Sequence, residues 1–310
     1  MVISINNLVK RYGDLVALDH LSLEVQEGEI LGLLGPNGSG KTTAINCMLS
    51  LLKYDKGEVR VFDRPMAPDA YDIKRNIGVV MQNVAVFNEL TVQENINYFC
   101  GLYVPEKEKR KQYVEEAIDF VGLGEFRKFY PKKLSGGLLR RLNIACGIAH
   151  HPKLIILDEP TVAVDPQSRN NILEGIERLN REGATVVYTS HYMEEVEQIC
   201  SRVVILDKGR IIANGNKEEL KNMISLGERI TVETSVLTAS LLSALKNMPG
   251  VEAADYDGKQ LVIKSGKGKN TLENTIDFLK KENIAYGRIY SEMPTLNDVF
   301  LQLTGTELRD

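Results

Sequence analysis

The feature that most constrains the fold is a glycine-rich loop between a short, largely apolar run at residues 29–34 and a helix predicted over residues 41–52. The loop consists of Gly35, Pro36, Asn37, Gly38, Ser39, Gly40, Lys41 and Thr42, and Thr43 follows it. Glycines let successive backbone N–H groups curl around a phosphate chain, and a helix N-terminus adds positive potential. The loop predicts a nucleotide site in which Lys41 reaches the β- and γ-phosphates and Thr42 ligates Mg²⁺. A chance match in an ordinary turn is the alternative, which the strand–loop–helix context disfavours.

Composition limits the class of protein further. The chain has 310 residues and a mass of 34.7 kDa, which is enough for about two domains. Hydrophobic residues make up 43% of it and charged residues 26%, so disordered, collagen-like and coiled-coil classes are excluded. The formal net charge of −4 gives no overall attraction to nucleic acid or to anionic lipid. We therefore expect no nucleic-acid partner.

The sequence also predicts a cytoplasmic protein without a membrane span of its own. No apolar run approaches the ~20 residues that a transmembrane helix needs, and the N-terminus lacks the apolar core of a signal peptide. The four cysteines are scattered, without C-x-x-C spacing. This distribution is typical of reduced thiols rather than of a metal site or a disulfide framework.

Alternating strand and helix patterns predict an α/β core with a largely parallel sheet over the first ~220 residues. Strand patterns occur at residues 2–6, 21–25, 29–34, 59–62, 77–81, 154–157, 185–189 and 203–206. Between residues 83 and 150 the pattern is helical, and Thr91 with Glu94 makes a capping box ahead of its first helix. We interpret this stretch as a helical subdomain inserted between strands.

A second, smaller domain is predicted after the core. The boundary divides the chain into residues 1–226 and 227–310. The second part has the order βαββαβ, with an Asp257-Gly258 hairpin turn between its middle strands. That order is the ferredoxin-like arrangement of an α+β domain. A final short helix is expected to begin at Thr295.

A pair of acids ends the apolar strand pattern of residues 154–157. Asp158 at the strand tip suits a Mg²⁺ ligand. Glu159 can polarise the water that attacks a γ-phosphate. Solvated acids in a strand-to-loop turn are the alternative, but the phosphate loop favours the catalytic interpretation.

The motif Leu134-Ser135-Gly136-Gly137 narrows the family. With it the sequence resembles the nucleotide-binding subunits of ATP-binding-cassette (ABC) transporters, over residues 2–220. The resemblance implies a P-loop NTPase cassette that binds ATP and Mg²⁺ and hydrolyses ATP. It also implies that the serine and the two glycines cap the γ-phosphate bound by the partner subunit. Two ATP molecules would then be sandwiched in a head-to-tail homodimer.

The resemblance assigns roles to further residues in chain order. Tyr12 would stack on adenine, and Gln82 would meet Mg²⁺ and the attacking water, in a loop that links the helical subdomain to the permease. Asp165, in the loop of residues 161–165, would contact the opposite subunit. His191 would bond the γ-phosphate.

Two positions depart from the family pattern. Leu138 stands where many members carry glutamine, and Ala163 stands where glycine is usual. Neither change removes a charge, so they affect the expected interface geometry and not the expected hydrolysis. Because Glu159 and His191 are both present, both sites of a homodimer are expected to be competent.

The chain end and the small extension indicate a branch of the family. Residues 291–305 and 191–195 resemble ATPases of the antibiotic- and drug-export branch of bacterial and archaeal ABC transporters. The branch implies a separate membrane permease, a place on the cytoplasmic face of the membrane, and export of a drug, antibiotic, peptide or lipid. The extension would either regulate the ATPase or only brace the dimer.

Two other classes of function are weighed against this one. A non-transport ABC ATPase of translation or DNA repair typically has two cassettes or a long coiled-coil insertion, and this chain shows neither. A small-molecule kinase on the same phosphate loop would need an acceptor-binding lid and no Ser-Gly-Gly motif. The transport ATPase is therefore the favoured interpretation.

Overall fold

The chain folds into two compact units. The computed structural model describes residues 1–162, 164–190, 192–224 and 226–305, with only the backbone of Leu226. Within this part of the chain the units are Met1–Lys217 and Glu218–Gly305. The two units divide between residues 217 and 218, before the predicted domain boundary at 226/227. The reason is that nearly all of the short helix Lys217–Met223 groups with the second unit.

The first unit contains ten strands among the described residues. They are β1 (Ile3–Tyr12), β2 (Leu15–Val25), β3 (Ile30–Leu34), β4 (Lys56–Val61), β5 (Arg64–Pro65), β6 (Ile77–Val80), β7 (Leu154–Asp158), β8 (Thr185–Thr189), β9 (Arg202–Asp207) and β10 (Arg210–Gly215). Its helices are α1 (Lys41–Met48), α2 (Tyr71–Lys74), α3 (Val92–Gly101), α4 (Lys107–Phe120), α5 (Gly136–Ile148), α6 (Pro166–Arg181) and α7 (Met193–Ile199).

A six-stranded sheet forms the centre of the first unit. Its order is β10-β9-β3-β8-β7-β6, and all pairs are parallel except β10 with β9. Every residue of β3, β7 and β8 is buried, as expected for strands covered on both faces. The predicted largely parallel sheet is thus confirmed. The carboxyl ends of these central strands meet at one edge, where ligands bind in open α/β sheets.

A separate antiparallel sheet, with the order β2-β1-β4-β5, lies beside it. The predicted strand patterns at residues 2–6, 21–25 and 59–62 lie in this sheet and not in the largely parallel one. Alternating burial, clearest along β2, is typical of antiparallel strands with one solvated face. One buried cluster joins this sheet, α1 and the central sheet, and includes Ile3, Ile45 and Leu33.

Helix α1 is shorter than its apolar pattern predicts. It begins at Lys41 as expected but ends at Met48, four residues before the predicted end at residue 52. The chain turns out of the helix at Ser50, whose φ is +50°, in the left-handed region that interrupts a right-handed helix.

The predicted helical subdomain contains α3, α4 and α5, with two short 3₁₀ turns at Gly124–Phe126 and Pro131–Lys133. The capping box is confirmed, because Thr91 Oγ1 accepts from the Glu94 N–H while the Glu94 carboxylate accepts from the Thr91 N–H. Helix α5 approaches the central sheet closely at Gly147. A Cβ atom there would lie 2.6 Å from Val80 Cγ2.

The second unit begins within α8 (Lys217–Met223) and has its own core. Its elements are β11 (Leu226–Glu233), α9 (Ala239–Lys246), β12 (Val251–Tyr256), β13 (Gln260–Gly266), α10 (Thr271–Lys281), β14 (Ile289–Glu292) and α11 (Leu296–Thr304). The antiparallel sheet order is β12-β13-β11-β14. Together with the element order βαββαβ, this is the ferredoxin-like arrangement that the sequence predicts.

Two predicted local features of the second unit are confirmed. Asp257 Oδ1 accepts from the backbone N–H groups of Lys259 and Gln260, at 2.8 and 2.7 Å, which closes the turn between β12 and β13. Thr295 caps α11, and its hydroxyl accepts from the Asp298 N–H at 3.3 Å. The first contact fixes a chain reversal and the second fixes the start of a helix, and both depend on local sequence.

Candidate nucleotide-binding site

The glycine-rich loop lies at the carboxyl edge of the central sheet, between β3 and α1. Gly38 and Gly40 have φ values of +81° and +108°, in the region that glycine adopts without steric cost. A Cβ atom at Gly40 would lie 2.6 Å from Ala17 O of β2. The loop is therefore packed against the antiparallel sheet, and only glycine fits at this point of closest approach.

Lys41 lies under the loop with its amine folded back onto it. The side chain is 6% exposed, and Nζ donates to Gly35 O at 2.7 Å and to Pro36 O at 3.3 Å. Burial lowers the pKa of the amine, and the carboxylates of Glu159 and Asp158 oppose that shift. An ammonium group with little solvation of its own is well suited to pair with an anion that enters the loop.

Asp158, at the end of β7, connects the loop to β8. Its Oδ2 accepts from Thr42 Oγ1 at 3.3 Å, and its Oδ1 accepts from Thr189 Oγ1 at 2.7 Å. Asp158 is 3% exposed. The predicted metal ligands Thr42 and Asp158 thus lie within hydrogen-bond distance of each other although 116 positions separate them. A hydroxyl and a carboxylate are oxygen ligands of the kind that Mg²⁺ prefers.

Glu159 has an unusual backbone conformation, with φ at +51°. A left-handed conformation costs a non-glycine residue roughly 1–2 kcal/mol, and such strain concentrates at functional sites. The Glu159 N–H donates to Thr189 Oγ1 at 2.9 Å, and Glu159 Oε2 accepts from Gln82 Nε2 at 2.6 Å. The predicted catalytic pair, Gln82 and Glu159, is therefore in direct contact.

Arg140, on α5, donates hydrogen bonds both to the loop that carries Gln82 and to the loop that carries Glu159. Its Nη1 donates to Gln82 O at 2.6 Å and to Met81 O at 3.2 Å, and its Nη2 donates to Glu159 O at 2.6 Å. The residue is 4% exposed. Burial lowers the pKa of the guanidinium, and the charges of Glu159 and Asp158 act in the opposite direction.

The Ser-Gly-Gly motif lies at the start of α5, with Ser135 as the N-cap. Its Oγ accepts from the Leu138 N–H at 3.3 Å, and Ser135 and Gly136 are exposed. A Cβ atom at Gly137 would lie 3.4 Å from Asp165 Oδ2. Within the described part of the chain, no hydrogen bond joins this motif to the glycine-rich loop.

Asp165 is the N-cap of α6. Its Oδ1 accepts from the Ser168 N–H at 2.9 Å. Hydrogen bonds from Ser168 lower the pKa of this carboxyl group. The acid therefore stays ionised beside the Ser-Gly-Gly motif, on the exposed side of the cassette.

One further predicted site residue, Tyr12, lies at the margin of this geometry. Tyr12 ends β1 with 49% of its surface exposed, and Lys10 Nζ lies 5.1 Å from the centre of its ring. His191 and Ala163 lie outside the described residues. Among the described residues that follow β8, the buried carboxylate of Glu195 accepts from Tyr188 OH and Ser190 Oγ, at 2.8 and 2.5 Å, which holds the end of β8 in place.

Arg140 and Thr189 were not identified as site residues from the sequence. A signal existed for Arg140, because it lies four and seven positions before the close-packed Ile144 and Gly147 and so shares their helix face. A charged residue on a buried stripe indicates a specific set of partners. Thr189 ends an apolar strand, and nothing in its local sequence separates it from an ordinary buried threonine.

A phosphate loop at the carboxyl edge of a parallel sheet, with Thr42, Asp158, Glu159 and Gln82 converging beside it, defines a P-loop nucleotide-binding protein. Comparison with known proteins then gives the family. Residues 18–162 match the family model described as "ABC transporter". The chain belongs to this family, and within it the chain is an ATP-binding subunit that hydrolyses ATP.

Relatives that align over the whole chain agree with this assignment. One is a linearmycin resistance ATP-binding protein of Bacillus subtilis, 36% identical over 308 residues, which cover 98% of each chain. Another is a daunorubicin resistance ATP-binding protein of Streptomyces coeruleorubidus, 33% identical over 310 residues, covering 99% of this chain and 97% of the relative. The resemblance to the drug-export branch is thereby confirmed.

A solved structure shows the same cassette fold. It is the ATP-binding cassette MJ0796, as a dimer in a post-hydrolysis state bound to ADP and Pi. It is 28% identical in sequence with a TM-score of 0.64, and it matches 69% of this chain and 98% of its own. Among the residues that the structure describes, no helix is both long and apolar enough to cross a bilayer.

Proposed function

We propose that this chain is the ATPase of an exporter, acting as a homodimer that drives a separate membrane permease from the cytoplasmic face. The observation that carries the ATPase part of the proposal is the contact between Gln82 Nε2 and Glu159 Oε2 at 2.6 Å, beside Thr42 and Asp158. This arrangement brings an amide, a carboxylate and two oxygen ligands to the point that a γ-phosphate would reach.

Each side chain has a defined task in this proposal. Lys41 and the loop N–H groups bind the β- and γ-phosphates, which stabilises the charge that develops during transfer to water. Thr42, Asp158 and Gln82 would hold Mg²⁺, which would neutralise phosphate charge when bound. Glu159 orients the attacking water and accepts its proton.

The exposed Ser-Gly-Gly motif supports the dimer. Ser135 and Gly136 lie at a solvent-exposed helix N-terminus, which is suited to bind an anion. In our proposal they contact the γ-phosphate held by the partner subunit, with Asp165 beside the same interface and Tyr12 against adenine. The dimeric state of the related cassette MJ0796 supports this arrangement.

The names of the full-length relatives support a drug or antibiotic as the exported compound, with peptides and lipids as further candidates. Two of these relatives are named for different compounds, linearmycin and daunorubicin, so the class of cargo rather than its identity is proposed.

The second unit is proposed either to regulate the ATPase or to brace the dimer. We also keep 1–226 and 227–310 as the proposed functional domains.

The substitution Glu159→Gln tests the core of the proposal. It replaces the carboxylate that accepts a proton from water with an amide of similar size, so ATP binding should persist while hydrolysis stops. We expect an ATP-bound dimer, measured by size-exclusion chromatography with light scattering after incubation with Mg-ATP. The matched control is Glu174→Gln, because Glu174 is an exposed acid on α6.

The control should hydrolyse ATP like the unmodified protein and should accumulate no dimer. A monomeric Glu159→Gln protein in Mg-ATP would contradict the proposed sandwich. Transport is tested in cells from which the gene for this chain is deleted. Sensitivity to linearmycin or daunorubicin should increase, and restoration by the unmodified chain but not by Glu159→Gln would assign the effect to hydrolysis.

A further inference from the structure

Arg140 connects two loops that the sequence keeps far apart. Its guanidinium donates to Met81 O and Gln82 O on one loop and to Glu159 O on the other. The side chains of Gln82 and Glu159 also bond each other, at 2.6 Å. The two loops are therefore joined twice, once through their side chains and once through their carbonyl groups.

The shape of the guanidinium suits this position. Arginine presents several N–H donors in a rigid plane, whereas lysine has one flexible ammonium group. Two nitrogens of Arg140 bond different loops, at 2.6 Å for both Gln82 O and Glu159 O. The bond to Glu159 O matters most for geometry, because Glu159 has a left-handed backbone with φ at +51° and its carbonyl direction needs a fixed partner.

The position of Arg140 on its helix links these contacts to a second surface. Arg140 lies on α5, whose N-cap is Ser135, so the buried guanidinium is only five positions after the exposed serine. Hydrogen bonds between successive turns keep the distance between two such positions of a helix nearly constant. Any tilt of its N-terminus therefore changes the distance between Arg140 and the carbonyls of Gln82 and Glu159.

We propose that Arg140 is a positioning residue that couples the orientation of the Ser135 helix terminus to the placement of Gln82 and Glu159 in its own chain. The inference rests on the proposed function, in which Ser135 contacts ATP held by the partner subunit. When the terminus contacts that ATP, Arg140 holds Gln82 and Glu159 of its own chain in the positions that orient water. Hydrolysis at one site of the dimer thereby depends on closure at the other.

The test compares Arg140→Lys and Arg140→Gln with the control Arg202→Lys. Arg202 is another largely buried arginine, 23% exposed, which bonds Glu29 and Glu24 O at the start of β9. For both Arg140 variants we expect kcat for ATP hydrolysis to fall roughly tenfold or more while KM for ATP changes less than about threefold. The control should keep the kcat of the unmodified protein.

A double-mutant cycle with Gln82→Ala separates positioning from general stability. If Arg140 acts partly through Gln82, the loss of kcat in Arg140→Lys combined with Gln82→Ala should be smaller than the product of the two single losses. Multiplicative losses would overturn the proposal. So would a kcat in both Arg140 variants equal to that of the unmodified protein.

Nucleotide binding provides the remaining readout. The affinity of each folded variant for a fluorescent ATP analogue should match that of the unmodified protein, because no contact of Arg140 involves the glycine-rich loop in the described residues. Loss of this binding together with kcat, or failure of both variants to fold, would show a structural role and overturn the inference. Hydrolysis by the unmodified protein, measured first, tests the proposed function separately.

Discussion

At the scale of single residues, the geometry of the site depends on buried side chains that each form hydrogen bonds to two other site residues. Thr189 is fully buried, and its hydroxyl accepts from the Glu159 N–H while donating to Asp158 Oδ1. One oxygen atom thus fixes the proposed metal ligand and the proposed base relative to each other. The Glu159 N–H has a second, longer acceptor in Thr189 O at 3.2 Å.

We expect Thr189→Val to lower both stability and turnover. Valine has the same shape but no hydroxyl, so buried polar atoms lose a partner, which costs about 1–3 kcal/mol of unfolding free energy. Small displacement of Glu159 and Asp158 should lower kcat roughly tenfold to a hundredfold. Urea unfolding and steady-state ATPase assays measure the two effects.

The control for this prediction is Thr189→Ser, which keeps the hydroxyl and should retain most of the activity. Equal losses in the serine and valine variants would show that the methyl group matters rather than the hydrogen bonds. Arg140 and Thr189 share the reason that they were not predicted. Their roles depend on partners 19 to 59 positions away in the chain.

At the scale of secondary-structure elements, the contact between α5 and β6 positions the Ser-Gly-Gly helix on the core. Gly147 and Gly78 face each other there: a Cβ atom at Gly78 would lie 2.5 Å from Gly147 O, and one at Gly147 would lie 2.9 Å from Val79 O. The absence of side chains lets the helix and strand backbones approach. This contact fixes the distance between α5 and the sheet, and thereby which carbonyl groups the Arg140 side chain can contact.

Gly147→Ala should destabilise the first unit even though alanine favours a helix. The propensity gain is about 1 kcal/mol, whereas overpacking against backbone atoms costs about 1–3 kcal/mol. We expect a net loss of about 1 kcal/mol in unfolding free energy, measured by urea titration. ATPase activity should also fall, since α5 carries Arg140.

Gly124→Ala is the matched control, because a Cβ atom at Gly124 would meet nothing within 4 Å. It should leave both stability and activity unchanged. A Gly147→Ala protein as stable as the unmodified one would mean that α5 shifts without cost, and the proposed coupling through its position would then weaken.

At the scale of the whole molecule, the chain has two compact units with separate cores. The core of the second unit consists mainly of sheet residues such as Ile230, Leu261 and Ile263, packed under its helices. None of them belongs to the core cluster beneath the glycine-rich loop. Each unit therefore has its own buried apolar surface to stabilise it.

Leu261→Ala should destabilise the second unit selectively. Leu261 is fully buried, and truncation of such a leucine costs about 2–5 kcal/mol. Hydrogen exchange measured by mass spectrometry should increase in peptides from residues 226–292 and not in those from β3, β7 or β8. Val262→Ala, at a half-buried position of the same strand, is the milder control.

ATP hydrolysis by the Leu261→Ala protein separates the two proposed roles of this unit. If the unit regulates the ATPase, loosening it should change kcat. If it only braces the dimer, kcat at saturating protein concentration should stay the same while dimerisation requires more protein. Increased exchange throughout the first unit would contradict the independence of the two cores.

The sequence by itself determined the local features of this protein. Glycine spacing at residues 35–42, the capping boxes and the apolar strand patterns act through neighbours in the chain, so the phosphate loop, the order of elements and the family could all be predicted. The tertiary structure alone decided the separate antiparallel sheet, the left-handed Glu159 and the bonds made by Arg140 and Thr189. These features depend on the packing of segments that are distant in the chain. A pattern of neighbouring residues does not indicate which loops will come into contact.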